Sequence, residues 1–278
     1  MHFFADDAPA DIAFKALAVN VSDLAAKAAA PIAYSLALAL PSETSEDWLH
    51  AFAKGLNEAQ TQFGIALSGG DTTVSRNGPL MVAVTAFGAV PHGTIIRRGT
   101  AQPGDTLYVS GTIGDAAMGL KLRRGDAIAV SSQKDRAGLI SRYLRPSPRL
   151  ALREALSLYA SAAMDVSDGL VIDCERLCAA SNVDGIIETT NVPFSPAVTS
   201  LISSEPKFLE TAITGGDDYE ILAAIRKGEE QAFEQAAAAC GLGVARIGMV
   251  AEGSGRLVVL ADGTPFKLTR SGYDHFQM

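Results

Sequence analysis

The chain has 278 residues and a mass of 28.9 kDa, enough for one large domain or two ordinary ones. Hydrophobic residues make up 48% of it and charged residues 19%, which excludes a disordered chain. The net charge of −8, without a long basic run, argues against nucleic-acid binding. No apolar run reaches the length of a membrane span, and the N-terminus has no basic segment typical of a signal peptide. We therefore expect a cytoplasmic protein with no membrane contact.

The first hundred residues alternate between helical and extended patterns. An alanine-rich helix is predicted over residues 14–30, stopped by Pro31, and an amphipathic helix over 46–63. Between and after them lie predicted strands at 34–40, 64–67 and 80–90. The strand at 64–67 is expected to end in the sequence SGGDTT, which is typical of a turn.

A polar stretch with Pro and Gly at 97–105 is typical of a linker. We place the domain boundary there and expect an N-terminal domain over 1–100 and a C-terminal domain over 103–278. The pattern after the linker is again mixed, so the sequence predicts two α/β (α+β) domains. Its predicted strands cover 106–110, 163–166, 184–189, 219–225, 245–250 and 256–260, and its predicted helices 115–122, 131–144, 149–162, 170–180 and 229–240.

The common catalytic motifs do not occur in this sequence. It has no Walker A loop, no dinucleotide fingerprint, no G-x-S-x-G elbow and no H-E-x-x-H. The three cysteines, Cys174, Cys178 and Cys240, fit no disulfide framework and have no histidine partners for zinc. We expect them to be reduced, with the buried ones in the core.

What remains is a set of six aspartates, three of them directly beside a glycine. They occur in NVSDLAA (Asp23), SGGDTT (Asp71), MDVSDGL (Asp165, Asp168) and TGGDDYE (Asp217, Asp218). Clustered carboxylates suit Mg²⁺, and glycines let backbone N–H groups approach phosphates. The strand-to-helix junction at Ser167 and Asp168 is a candidate phosphate site. Each motif taken singly is also ordinary turn or N-cap chemistry, so the residues alone predict only a possible Mg²⁺–phosphate protein.

Taken together and in order, these motifs resemble one family. NVSDLAA, SGGDTT, RRGTAQPGDTLYVSGTIGDA, RYLRPSPRLALREAL, MDVSDGL, TGGDDYEIL and SGYDHF are similar to segments of the thiamine-monophosphate kinases, which belong to the superfamily of aminoimidazole ribonucleotide synthetase. The resemblance implies transfer of the ATP γ-phosphoryl group to thiamine monophosphate, with several Mg²⁺ ions. It leaves a requirement for K⁺ open. It also implies a homodimer formed through the N-terminal domains, with ATP in a groove between the domains.

The resemblance assigns roles by motif position. The implied metal ligands are Asp23, Asp71, Asp165 and Asp168. The implied nucleotide contacts are Gly70, Asp71, Arg98 and Ser167, and the implied substrate contacts are His2, Asp217 and Tyr273. Asp71, Arg98 and Asp168 are the implied catalytic groups.

The sequence departs from the family pattern in three places. Asp217 stands where the family usually has Glu, and Lys27-Ala28 stands where it tends to have Met-Gly. In the family a further stretch, with a G-D-D-A-A segment and a T-D pair, precedes the position of His2. We expect its absence here to reflect either a late gene start or a truncated copy.

Three hypotheses about function stay open from the sequence. The first is an active kinase. The second is a non-catalytic paralogue that dimerises and binds nucleotide. The third is a sister ATP-dependent enzyme with another acceptor. The sisters that use a reactive cysteine near a terminus are disfavoured, because all three cysteines lie between residues 174 and 240.

Overall fold

Two β-sheets organise the chain. A computed structural model, which describes residues 3–270 and 272, has a three-stranded sheet followed by a seven-stranded sheet within that range. Helices accompany the strands in both parts, which confirms the mixed α/β class. His2 and Tyr273, both expected at the substrate, lie outside the described residues.

The first sheet is built around one long strand. The elements in chain order are helix α1 (Pro9–Ala26), strand β1 (Ala30–Pro41), helix α2 (Glu46–Phe63), strand β2 (Ala66–Ser75) and strand β3 (Met81–Ala89). Strand β1 lies in the centre, parallel to β2 and antiparallel to β3. Its leucines at 36, 38 and 40 are buried in one core with side chains of α1 and α2, so both helices cover the same face of the sheet.

Helix α1 ends earlier than predicted. The helix stops at Ala26, and Pro31 lies inside β1 instead of marking the helix end. The reversal is made by Ala28 in the left-handed region (φ 57°), with the Ala29 N–H donating to the Leu24 carbonyl at 2.9 Å. A proline disfavours helical backbone in the residue before it, so the reversal has to be complete before residue 30.

The SGGDTT segment is also different from the prediction. It continues strand β2 instead of forming a turn after it. Gly70 lies against the backbone of β1, where a Cβ would lie 1.8 Å from the Leu36 carbonyl oxygen. The glycine therefore serves the close approach of two strands.

The second sheet carries most of the remaining elements. They are β4 (Thr106–Ser110), α3 (Asp115–Arg124), α4 (Gln133–Leu144), α5 (Arg153–Tyr159), β5 (Ala160–Val166), α6 (Leu170–Ser181), β6 (Asp184–Glu188), α7 (Pro196–Ser204), α8 (Lys207–Thr214), β7 (Glu220–Ile225), α9 (Glu230–Ala239), β8 (Val244–Ala251), β9 (Leu257–Ala261) and β10 (Thr264–Pro265). The strand order is β10-β9-β6-β8-β4-β7-β5. Neighbouring strands are antiparallel except β6 and β9.

Two predictions for this part were wrong. The expected helix over 149–162 is a short 3-10 turn (Leu150–Leu152), then α5, and then strand β5 from Ala160. The alanines at 160, 162 and 163 are buried in the sheet, and tertiary burial overrides their helical preference. Helices α7 and α8 were not predicted, although Ser195 caps α7 and Pro196 starts it.

Helix α1 joins the two parts of the chain. It packs on β3 of the first sheet and also against β5 and β7 of the second. At its N-terminal side, Arg123 Nε of α3 donates to Asp7 Oδ1 at 2.8 Å. The helices among residues 3–270 are each too short or too polar to span a bilayer.

Candidate active site

Two of the predicted aspartate motifs meet at one edge of the second sheet. Strand β5 ends at Val166 where the antiparallel β7 begins, so the loops at 167–169 and 215–219 lie together. The Asp217 N–H donates to the Ser167 carbonyl and the Tyr219 N–H to the Val166 carbonyl, both at 2.8 Å. A Cβ on Gly216 would lie 2.4 Å from the Ser167 carbonyl oxygen, so this contact requires glycine.

Asp165 is a buried carboxylate at the end of β5. It is 7% exposed, and burial raises its pKa to about 7, with the nearby charge of Asp23 adding to the shift. Neither carboxylate has an ion-pair partner within 4.0 Å among the described residues. Ser22, fully buried beside Asp165, lowers the pKa of that carboxyl and so opposes part of the shift. The structure thus brings Asp23 and Asp165 near each other, and their role as metal ligands stays a prediction.

Lys27, which stands where the family tends to have Met, is a neighbour of the Asp23–Asp165 pair. It follows Asp23 by four residues, one turn along α1, and its Nζ donates to the Ala163 carbonyl of β5 at 3.1 Å. Burial lowers the pKa of Lys27, and the carboxylates of Asp165 and Asp23 oppose that shift.

Helix α6, which follows Asp168, is capped at its N-terminus by a side chain from within the helix. Asp173, fully buried, accepts hydrogen bonds through Oδ2 from the N–H groups of Ser167 (3.0 Å), Asp168 (2.9 Å) and Gly169 (3.2 Å). These three N–H groups already have a hydrogen-bond acceptor, so they are not free donors for a phosphate, and the phosphate site expected at Ser167 and Asp168 stays a prediction. Burial raises the pKa of Asp173 to about 6. The side chain of Asp168 is half-buried and forms an ion pair with Arg176.

Sequence reasoning missed Asp173, although its position was readable. It lies in the first turn of α6, where a carboxylate side chain can accept hydrogen bonds from the N–H groups that precede the helix. Arg176 contacts Asp173 Oδ1 at 2.9 Å and Asp168 together, so one guanidinium holds the structural and the candidate functional carboxylate.

Asp217 points toward α1. Its Oδ1 lies 3.2 Å from Lys15 Nζ, and the Tyr219 hydroxyl donates to the same oxygen at 3.3 Å. The Lys15 ammonium also lies 3.7 Å from the ring centroid of Tyr143. Burial lowers the pKa of Lys15, and Asp217 opposes the shift. Asp217 and Tyr219 have φ of 72° and 51°, a strained loop of the kind that collects at functional sites.

The neighbouring carboxylates of this motif are structural. Asp218 is buried and accepts from the N–H groups of Gly114 (2.8 Å) and Ala116 (3.2 Å), which caps α3. Glu220 is fully buried and holds Arg142 (2.8 Å), Arg149 and the Ser110 hydroxyl (2.6 Å). Only Asp217 of the three acidic residues is left facing the α1 side.

A small cavity adjoins Asp217. It measures about 200 Å³, and Lys15 and Tyr219, both partners of Asp217, are part of its wall. The other lining residues are mainly apolar: Phe3, Ile12, Ala16, Val19, Asn20, Val82 and Val84. An apolar wall with a few polar groups is the general pattern of small-molecule sites, although this cavity is small.

Arg98 is exposed in the segment before β4, and this segment lies along the edge of β5. The Arg97 carbonyl accepts from the Ala163 N–H at 3.3 Å, and the Arg98 carbonyl accepts from Ser181 Oγ at 3.1 Å. The positive charge of Arg98 helps to lower the pKa of Lys27, so the two cationic side chains are neighbours.

Asp71 is not brought to the other aspartates. It is exposed on β2 and pairs with Ala37 of β1, so its side chain lies on the sheet face opposite the one covered by α1 and α2. Gly70, its neighbour, contacts β1 instead. Within the described chain, no hydrogen bond or ion pair links Asp71 to Asp23, Asp165 or Asp168.

Part of the predicted donor set suits Mg²⁺. Among residues 3–270 and 272, no group of three or more His, Cys, Asp or Glu side chains is arranged as a complete metal cage. Asp23 and Asp165 nevertheless offer two hard oxygen donors without cationic partners within 4.0 Å. Mg²⁺ is usually held by one or two carboxylates plus substrate phosphates and water, so this pair fits it.

Comparison with known proteins gives the class of this fold. Residues 1–90 match the family "AIR synthase related protein, N-terminal domain", and residues 102–260 match "AIR synthase related protein, C-terminal domain". The chain belongs to the AIR synthase related family and, within it, to the thiamine-monophosphate kinases.

Individual relatives support that second assignment. The thiamine-monophosphate kinase of Caulobacter vibrioides is 43% identical over 259 residues, which cover 92% of this chain and 72% of the relative. The crystal structure of the enzyme of that name from Stenotrophomonas maltophilia K279a has a TM-score of 0.86 at 41% identity, covering 96% of this chain and 83% of that one. A structure described as "AaThiL complexed with AMPPCP and TMP" has a TM-score of 0.85 at 30% identity, covering 99% and 83%.

Proposed function

We propose that this protein transfers the γ-phosphoryl group of ATP to thiamine monophosphate, which gives thiamine diphosphate and ADP. The observation that carries the proposal is the Asp23–Asp165 pair, two carboxylates with no cationic ion-pair partner in the described chain, at the junction of the two domains. Relatives that bear the kinase name, and one structure with an ATP analogue and TMP, support it. They favour the kinase over a non-catalytic paralogue or a sister enzyme. The domains would span 1–100 and 103–278.

The donor nucleotide would lie on the β5 side of the junction. Asp165 and Asp168 follow one another along this edge, and Arg98 enters from the preceding segment. We assign phosphate contacts to Arg98 and Ser167, because a guanidinium and a hydroxyl both donate to phosphate oxygens. We also assign nucleotide contacts to Gly70 and Asp71 of β2. The described chain alone does not bring these two residues to the end of β5.

The acceptor would lie on the α1 side. The cavity of about 200 Å³ next to Asp217 has mainly apolar walls for the aromatic rings of thiamine, and Lys15 is one of its lining residues. A lysine beside this cavity suits the phosphate of the acceptor, and Asp217 and Tyr219 fix its position. His2 and Tyr273 remain predicted substrate contacts.

Catalysis in this arrangement depends on alignment and charge. A phosphate acceptor is already ionised at neutral pH, so no general base is required in the site. Arg98 would stabilise charge on the transferred group, while Asp165, Asp23 and Asp168 bind the cations that accompany ATP. Mg²⁺, when bound, would neutralise phosphate charge and orient the phosphates. The question of a K⁺ requirement stays open. We propose that the protein works in the cytoplasm.

We also propose a homodimer. The face of the three-stranded sheet that α1 and α2 leave uncovered carries small and apolar side chains, and Met81 and Phe87 on it are 61% and 51% exposed. An uncovered apolar face of this kind is typical of an interaction surface. It also carries Asp71, so pairing would surround that carboxylate with a second chain. Light scattering should give twice the chain mass; a monomer would overturn the dimer.

The acceptor assignment is tested by competition among phosphate acceptors. The protein is incubated with γ-labelled ATP, Mg²⁺ and one of thiamine monophosphate, thiamine or AMP. Label should move to thiamine monophosphate alone. Transfer to thiamine or AMP instead would identify a different acceptor, and release of inorganic phosphate alone would contradict phosphoryl transfer.

A further inference from the structure

Lys27 occupies an unusual position for a lysine. It follows the last residue of α1, is half-buried, and extends across the domain junction to the Ala163 carbonyl, 3.1 Å from its Nζ. Ala163 lies on the outer edge of β5, where its own N–H donates to the Arg97 carbonyl at 3.3 Å. The ammonium is therefore hydrogen-bonded to the strand that carries Asp165.

The surroundings of this ammonium are acidic. Asp165 lies two residues beyond Ala163 on the same strand, so the side chains of these two residues are on the same face of the sheet. Asp23 lies one helical turn before Lys27. No ion pair within 4.0 Å joins Lys27 to either carboxylate in the described chain. The lysine thus contributes a positive charge to the pair without directly blocking their oxygens.

We propose that Lys27 is a fixed cation that partly neutralises the Asp23–Asp165 pair and so weakens the binding of a divalent cation there. The inference rests on the proposed function, which takes both carboxylates as metal ligands. A unit positive charge near two ligands opposes a divalent ion by direct repulsion. Metal occupancy at this pair then depends more strongly on nucleotide phosphates arriving with the ion.

The contribution of Lys27 is separable from its structural role. Its hydrogen bond to the Ala163 carbonyl links α1 to β5, and any variant that loses this bond is expected to be somewhat less stable. Divalent-cation affinity is a different readout, because loss of the hydrogen bond alone gives no reason for tighter metal binding.

The test uses Mn²⁺ as the probe and the electron paramagnetic resonance signal of the free ion to obtain a dissociation constant. Lys27→Met removes the charge at nearly equal length, Lys27→Gln removes the charge but keeps a donor, and Lys27→Arg keeps the charge. Lys54→Met is the matched control, since Lys54 is exposed on α2. We expect Lys27→Met and Lys27→Gln to bind Mn²⁺ about tenfold more tightly than wild type. Lys27→Arg and Lys54→Met should remain within about twofold.

Each outcome decides between the alternatives. Unchanged or weaker Mn²⁺ binding in folded Lys27→Met and Lys27→Gln overturns the proposal. If the Lys27 variants give that result and Asp165→Asn still abolishes Mn²⁺ binding, the assigned metal ligands stand and only the role of Lys27 fails. If no variant, wild type included, binds Mn²⁺ with or without the non-hydrolysable analogue AMPPCP, the metal site of the proposed function fails and this proposal with it.

Discussion

Lys15 Nζ lies 3.2 Å from Asp217 Oδ1, and this ion pair joins the first helix to the loop that precedes β7. The lysine side chain is 6% exposed and the aspartate side chain 22%. Removal of the aspartate therefore leaves a buried charge without its partner, whereas removal of the lysine leaves a carboxylate that water still reaches.

We expect Asp217→Asn to lower the free energy of unfolding by about 3 kcal/mol, and Lys15→Met to lower it by less. The double variant should be more stable than Asp217→Asn, because the unpaired ammonium is gone. Urea unfolding of the four proteins provides the double-mutant cycle. Additive effects of the two single substitutions would show that the ion pair contributes nothing.

Asp165 predicts a dependence of stability on pH. Its pKa is about 7 in the folded protein against an ordinary 3.8, so the folded state holds the proton more tightly than the unfolded state. The free energy of unfolding therefore falls as pH rises from about 4 to about 7 and levels off above that. Asp165→Asn should remove this part of the decline and be more stable than wild type at pH 8, though not at pH 4.

Thermal unfolding across this pH range gives the measurement. Asp173, whose pKa is about 6, contributes a decline of the same sign in both proteins and serves as an internal reference. Equal pH profiles for wild type and Asp165→Asn would show that Asp165 is not a strained buried carboxylate. A gain in stability combined with loss of nucleotide binding would be the expected signature of a functional group.

Asp168 and Asp173 share Arg176 but are expected to differ in role. Asp168→Asn should abolish Mg²⁺-dependent nucleotide binding at a cost of about 1 kcal/mol or less, because its ion pair is partly exposed. Asp173→Asn should cost about 2–3 kcal/mol, because three N–H groups lose a charged acceptor. Calorimetry with AMPPCP, with and without Mg²⁺, separates them; unchanged Mg²⁺-dependent binding in Asp168→Asn removes Asp168 from the site.

Ala28 predicts a stabilising substitution. Its φ of 57° is in the left-handed region, where an L-residue with a Cβ is disfavoured by about 1–2 kcal/mol and glycine is not. Ala28→Gly should raise the free energy of unfolding by about 0.5–1 kcal/mol after the entropy cost of glycine. Ala26→Gly, at the last residue of α1, is the control and should destabilise. A loss of stability in Ala28→Gly would contradict the strain.

The sequence predicted the strands and helices with strong periodicity but not their junctions. Helix α2 is found at the predicted residues, because its pattern, its Ser45 cap and the following Gly64 all agree. The segment 149–162 was assigned wrongly, because its alanines favour a helix by local preference, whereas the structure makes residues 160–166 a buried strand. Only packing against β7 decides between them.

The candidate site was predicted in its parts and not in its assembly. The aspartate motifs were visible, but their meeting depends on the antiparallel pairing of β5 with β7, which no local signal specifies. Lys15 was missed although it stands among apolar residues of α1, the same argument that had singled out Asp23. Asp71 shows the opposite case, since β2 carries it to the other face of its sheet.

The central claim is that this chain makes thiamine diphosphate. The most direct measurement is mass spectrometry of the product after the folded protein is mixed with ATP, Mg²⁺ and thiamine monophosphate. The account predicts thiamine diphosphate above the no-enzyme level for wild type and its loss in Asp165→Asn. No thiamine diphosphate from folded wild-type protein, or equal amounts from Asp165→Asn, would contradict it.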